Sequence, residues 1–139
     1  MSVEQRKALV RREIADVWHK GDLAVIDEIY AAHFVNHSPF PSTTPDRDGL
    51  KESVKAYRGA FPDIRLTIED LIAKADRVVE RVPAAGTRRG EVMGVAPTGK
   101  RIEIPVTTIN RFAGSGIVER WSVADMPAMM QQLGVMPSQ

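Results

Sequence analysis

With no cysteine in the chain, thiolate chemistry is excluded and proton transfer falls first to carboxylates and to three histidines. Asp125 is the leading carboxylate. It follows a β-branched run in which residues two apart share a strand face, so Ile117, Glu119, Trp121, Val123 and Asp125 lie on one side. Val118, Arg120, Ser122 and Ala124 lie on the other. The first face carries the larger apolar side chains and is predicted to look inward. A carboxylate at its end would be partly desolvated, and desolvation suits such a group to trade protons near neutral pH. The same aspartate also suits an N-cap, with Pro127 in the first turn of a following helix.

His37, beside Asn36 in a loop rich in Ser and Pro, could orient a carbonyl or shuttle a proton, or simply be solvated. Glu80 and Arg81 are adjacent in an apolar strand, so one of them points to the covered side and becomes a site candidate, with surface pairing as the alternative for both. Trp18, Phe61 and Trp121 are candidate pocket walls, although large apolar side chains at such spacings also build cores. His19 and His33 are read at helix C-termini, where a cation suits the dipole. Three scattered histidines predict no metal site, and Gly90, Gly94 and Gly99 lack phosphate-loop spacing.

The elements that must hold these groups follow from periodicity. Ser2 and Gln5 form a capping-box pattern ahead of Val3, Val10, Ile14, Val17 and Trp18, which predicts a first helix up to Gly21. Asp22 is expected to cap a second helix bearing Leu23, Ile26, Ile29 and Tyr30. Leu50, Val54, Tyr57 and Phe61 predict a third, with Asp48 near its start and Pro62 as its stop. From Ile64 the period changes to two, with β-branched runs at 78–82, 102–112 and 117–123. Pro97 to Lys100 reads as a tight turn, and Gly114-Ser115-Gly116 as the hairpin between antiparallel neighbours. Residues 126–133 read as a short last helix closed by Gly134. Helices followed by strands, over 139 residues, predict one α+β domain whose helices cover one face of a bent sheet.

Nineteen basic and eighteen acidic side chains, spread evenly, predict no nucleic-acid partner. No uncharged stretch approaches the length of a membrane span, and no apolar run follows the first basic residues, so the expected location is the cytoplasm.

Ala60-Phe61-Pro62-Asp63, Gly86-Thr87-Arg88-Arg89-Gly90-Glu91 and Pro97-Thr98-Gly99-Lys100-Arg101 occur in that order. Ile117-Val118-Glu119-Arg120-Trp121, then Asp125, then Gln131-Gln132-Leu133-Gly134 close the chain. On these motifs the sequence resembles the SnoaL-like proteins of the nuclear-transport-factor-2-like superfamily, from the first helix to Gly134. The resemblance implies a cone of three N-terminal helices packed in a curved antiparallel sheet, with a short C-terminal helix. It implies a homodimer through the open sheet face, and closure of an aromatic polyketide ring by intramolecular aldol condensation on a small hydrophobic molecule, without metal or cofactor. By position the family's acid/base aspartate corresponds to Asp125 and its loop histidine to His37, with Asn36, His37 or Arg88 as donors to an enolate oxygen. Two departures stand out: Val82-Pro83 where relatives carry Trp, and Arg88 where many carry His, which points to a different substrate, one with an anionic group. Proton transfer without ring closure, epoxide opening, and non-catalytic ligand binding stay open beside the cyclase reading.

Overall fold

The computed structural model describes residues 1–90 and 98–134; Glu91, Gly94 and Pro97, named above, lie outside the described residues. Helix α1, Val3–Arg12, begins with the expected capping box: Ser2 accepts from the Gln5 amide while the Gln5 side chain accepts from the Ser2 amide. The helix then widens into a π-helical segment, Glu13–His19. Helix α2 is Ala24–Ile29, with no side-chain cap from Asp22. Helix α3, Arg47–Ala60, is capped by Asp46, whose carboxylate accepts from the Gly49 amide.

Strand β1, Tyr30–Asn36, follows where the sequence predicts the end of the second helix, because Tyr30 extends the apolar spacing of α2 and masks the change of conformation. His33 therefore lies in a strand and not at a helix end. His19 accepts a hydrogen bond from the Leu66 amide, and burial, then Arg65, lowers its pKa, so it is no dipole-stabilised cation.

The remaining strands are β2 Arg65–Leu66, β3 Asp70–Lys74, β4 Arg77–Arg81, β5 Ala84–Thr87, β6 Arg101–Ile104, β7 Val106–Ala113 and β8 Gly116–Ala124; helix α4 is Met126–Leu133. Pro105 has no N–H to donate, and it divides the expected 102–112 run into β6 and β7. Two sheets result, ordered β1-β8-β7-β4-β3 and β2-β5-β6. All neighbours are antiparallel except β1, which runs parallel to β8. The β7–β8 hairpin turns at Gly114, whose φ of +62° is open to glycine at little cost.

The core lies between the helices and the inner face of the larger sheet, where Val10, Ile26, Ile29, Phe34, Val54 and Ile117 are almost fully buried. A second cluster, with Phe61, Ile102, Ile104, Met129 and Leu133, joins α4 to the smaller sheet. Gly86 lets these layers meet, since a Cβ there would stand 3.0 Å from the Phe61 Cβ.

One irregularity decides which side chains look inward. Arg111 pairs with Glu119 and Phe112 pairs with Ile117, so a single step along β7 spans two residues of β8. Such a bulge inverts the alternation, because side chains alternate strictly and one extra residue swaps the faces. Ile117 is buried, yet beyond the bulge it is Arg120, Ser122 and Ala124 that face the interior. Counting inward positions from Ile117 thus gives the wrong face for Glu119, Trp121, Val123 and Asp125.

Candidate active site

Inside the cone is a cavity of about 600 Å³. Its walls are mostly apolar: Leu50 and Tyr57 from α3, Phe61 just after it, Ile102 and Ile104 from β6, and Met126, Met129 and Met130 from α4. The polar part follows from strand register. Glu80, Thr108 and Ser122 stand in one cross-strand row, and Asn110, Arg120 and Asn36 in the next. All six point inward, and all but Asn110 line the cavity.

Glu80 is 3% exposed and accepts a hydrogen bond from Asn110 Nδ2 at 2.8 Å. Burial, reinforced by the charge of Glu13, lifts its pKa to about 8, against the pull of Arg120 and the Asn110 bond. Behind Glu80 lies Glu13, 2% exposed, in the π-helical segment. Glu13 Oε1 accepts from Tyr30 Oη at 2.8 Å and from Trp18 Nε1 at 3.4 Å. A π-turn joins residues i and i+5, the spacing of Glu13 and Trp18. Burial would by itself lower the pKa of Arg120, but Tyr30, Glu13 and Glu80 outweigh it and hold the guanidinium charged. The Arg120 side chain lines the cavity, and its buried Nε has no hydrogen-bond partner among the described residues. The cavity therefore ends in one carboxylate, Glu80, and one cation, Arg120, among hydroxyls and amides, with the Glu13 carboxylate buried behind them.

Of the residues named from sequence, Asn36, Glu80, Trp18 and Phe61 line this cavity. The Asn36 side chain accepts from the Ser38 amide at 3.0 Å, which holds the start of the loop. The choice between Glu80 and Arg81 is settled by alternation: Val78, Glu80 and Val82 turn inward, while Arg81 is exposed and pairs with Glu69 and Asp70. Arg88 is fully buried, but its Nε donates to the Gly90 carbonyl and it is not a wall of the cavity. The reason for expecting an anionic substrate is thereby removed.

Asp125, His37 and Trp121 lie outside the cavity. The bulge turns Trp121 to the outer sheet face, where the His37 ring stacks on it with centroids 4.8 Å apart and planes 8° from parallel. His37 Nε2 lies 3.3 Å from Glu119 Oε2, and the Arg77 guanidinium sits over the indole at 5.4 Å. Asp125 is exposed and caps α4, accepting from the Ala128 amide at 2.9 Å. Of the two roles open to it from sequence, its position fits the cap and not the inward carboxylate. Asp125→Ala is expected to cost about 1 kcal/mol in urea unfolding through loss of the cap, and to leave ligand affinity in the cavity unchanged. A tenfold loss of affinity would return Asp125 to the site.

Sequence reasoning missed Glu13, Asn110, Thr108, Arg120 and Ser122. Glu13 carried a usable signal: it lies three residues after Val10 and four before Val17, on the apolar stripe of its helix. The β8 and β7 residues were hidden by the bulge and by the choice of face it caused.

The sequence matches the family described as SnoaL-like polyketide cyclase over residues 8–133. No curated protein matches significantly. Among solved structures, the candidate polyketide cyclase IdmH of Streptomyces antibioticus is 31% identical with a TM-score of 0.81, over 94% of this chain and 99% of that one. The candidate hydroxylase AclR of Streptomyces galilaeus is 30% identical with a TM-score of 0.87, over 99% of this chain and 86% of that one. TsrD of Streptomyces laurentii shares the fold with a TM-score of 0.89 at 19% identity, over 98% and 99%.

Proposed function

The chain belongs to the SnoaL-like polyketide cyclase family, and on that premise we propose that it is an enzyme of acid/base carbonyl chemistry, with Glu80 as the proton-transfer group. The reaction it would serve is intramolecular aldol cyclisation of a hydrophobic, polyketide-like carbonyl compound. One observation carries this reading: a buried carboxylate with a pKa of about 8 lines a mostly apolar cavity. Perturbed carboxylates in such settings are characteristic of acid/base sites.

The steps follow from the charges. Ionised Glu80 takes a proton from the carbon α to a ligand carbonyl, which leaves an enolate and a neutral carboxylic acid. Arg120, held cationic, stabilises the enolate oxygen, and the Ser122 and Thr108 hydroxyls, 2.9 Å apart, stand in the neighbouring row. The enolate carbon then attacks a second carbonyl of the same molecule. The proton held by Glu80 returns to the new alkoxide, so the base is regenerated and no redox partner is needed. Apolar walls exclude water and strengthen each of these interactions.

The test is exchange of α-protons for deuterium, followed by NMR on an aryl 1,3-diketone in D2O with added protein. The base form must be free, so the rate should rise about tenfold from pH 7 and level off above pH 8. A rate equal to buffer alone at every pH would end the catalytic reading.

The outer sheet face favours pairing of two copies. Trp121, Ile109, Val79 and Ile72 stand in one cross-strand row there, with Ile72 61% exposed and Val123 beside them 74% exposed. Contiguous apolar surface of this kind marks an association site. Sedimentation at micromolar concentration should show a dimer, and Trp121→Glu should shift it to monomer. A wild-type monomer would contradict the pairing.

A further inference from the structure

We infer that the cavity selects an uncharged carbonyl head over a carboxylate, and that Glu13 is the residue that sets this selectivity. The inference rests on the proposed function in one respect: the cavity is taken as the place where the carbonyl ligand binds.

Charge is balanced at the polar end of the cavity. Arg120 supplies the cation that reaches the cavity there, and it already faces Glu13 and Glu80. An anion entering an apolar cavity loses its hydration and needs an uncompensated positive charge in return. Glu13 removes that possibility. Its carboxylate is buried, is not part of the cavity wall, and is fixed by the Tyr30 hydroxyl and the Trp18 indole, so a ligand cannot displace it. Its second oxygen, Oε2, has no hydrogen-bond partner among the described residues, so much of its charge is left to act on the cation nearby. At pH 7, with Glu80 mostly protonated, Glu13 and Arg120 sum to zero. A neutral ketone can accept a hydrogen bond from such a site without adding charge, whereas a carboxylate makes the pocket net negative.

Glu13 never meets the ligand in this account; it acts through Arg120 and is a specificity-determining residue. Its place on a π-helical turn fits that role, because a regular α-helical turn would not bring Glu13 and Trp18 together in the same way.

The closing experiment uses two probes of nearly the same shape, 2-acetylnaphthalene and 2-naphthoate, which differ in carrying a methyl ketone or a carboxylate. Wild-type protein at pH 7 should bind the ketone at least tenfold more tightly, measured by quenching of tryptophan fluorescence. Glu13→Gln should bring that ratio to about one or below, with circular dichroism showing the fold retained. Wild-type protein carries a second readout that needs no variant. Raising the pH from 7 to 9 ionises Glu80, which faces Glu13, Tyr30, Arg120 and Asn110. Naphthoate should weaken several-fold more, while the ketone changes little. Equal or tighter binding of naphthoate by the wild type, an unchanged ratio in a folded Glu13→Gln variant, or binding of neither probe would overturn the inference. Proton exchange without selectivity sinks this inference alone, and selectivity without exchange sinks the catalytic reading alone.

Discussion

Glu80→Gln should abolish proton exchange and make the protein more stable. The activity loss follows from role: a positioned acid/base group contributes about 10²- to 10⁴-fold, and an amide cannot accept the proton. The gain in stability follows from linkage. Glu80 has a pKa of about 8 in the folded chain against an ordinary value of 4.5. Between those values the unfolded chain releases the proton and the folded chain keeps it, so stability is full below pH 4.5 and declines as pH rises through 8. One pK unit corresponds to about 1.4 kcal/mol, and pH 7 lies about 2.5 units above the ordinary value, which places the cost of keeping Glu80 at roughly 3 kcal/mol. Gln keeps the shape and can still accept from Asn110, without that cost. Urea unfolding should therefore show the variant more stable by about 3 kcal/mol at pH 7, and no more stable than wild type at pH 4. Equal stability at both pH values, with activity retained, would show Glu80 to be neither perturbed nor catalytic.

Such a residue is the kind that sequence patterning reaches only halfway. The alternation of β4 showed that Glu80 or Arg81 had to face inward, and register decided for Glu80, because Val78 and Val82 share its parity and are both buried. The same rule failed on β8. There Ile117 begins on the inner side, a bulge opposite Arg111 and Phe112 inverts the parity, and every residue counted beyond it falls on the wrong face. A bulge depends on pairing with a neighbour distant in sequence, so no local pattern in 117–125 announces it. Helices were legible for the opposite reason: the Ser2 and Gln5 box and the α3 stripe are local, and both occur as read. Strand β1 was lost because Ile29 and Tyr30 are apolar in sequence whichever conformation follows. The family was legible because its motifs are short runs of residue types read directly along the chain, such as Ala60 to Asp63 at the end of α3 and Gln131 to Gly134 at the end of α4. The polar end of the cavity depends on four strands, β4, β7, β8 and β1, agreeing in register, and that is a property of the assembled sheet.

Removing the cation should have the largest effect on folding. Arg120→Met keeps most of the length and apolar stem of the side chain but leaves Glu13 and Glu80 facing each other without a positive neighbour. Breaking a buried charge arrangement from one side typically costs about 3 to 5 kcal/mol, because the remaining charge stays desolvated. The variant should lose stability on that scale at pH 9, where Glu80 is mostly ionised in the wild type, and lose less at pH 5, where Glu80 is protonated in either protein. Exchange should fall about 10²- to 10³-fold wherever the variant is folded, since the developing enolate loses its donor. A double variant, Glu13→Gln with Arg120→Met, separates charge from packing. If the loss comes from an unbalanced carboxylate, the pair should recover at least about 1 kcal/mol relative to the single variant, as expected for interacting sites. If Arg120 mattered only as a space-filling stem, the two changes would simply add and the pH dependence would vanish. Additivity would also remove the reason for placing an enolate oxygen at Arg120, because the guanidinium would then be no stronger a source of field than the methyl groups around it.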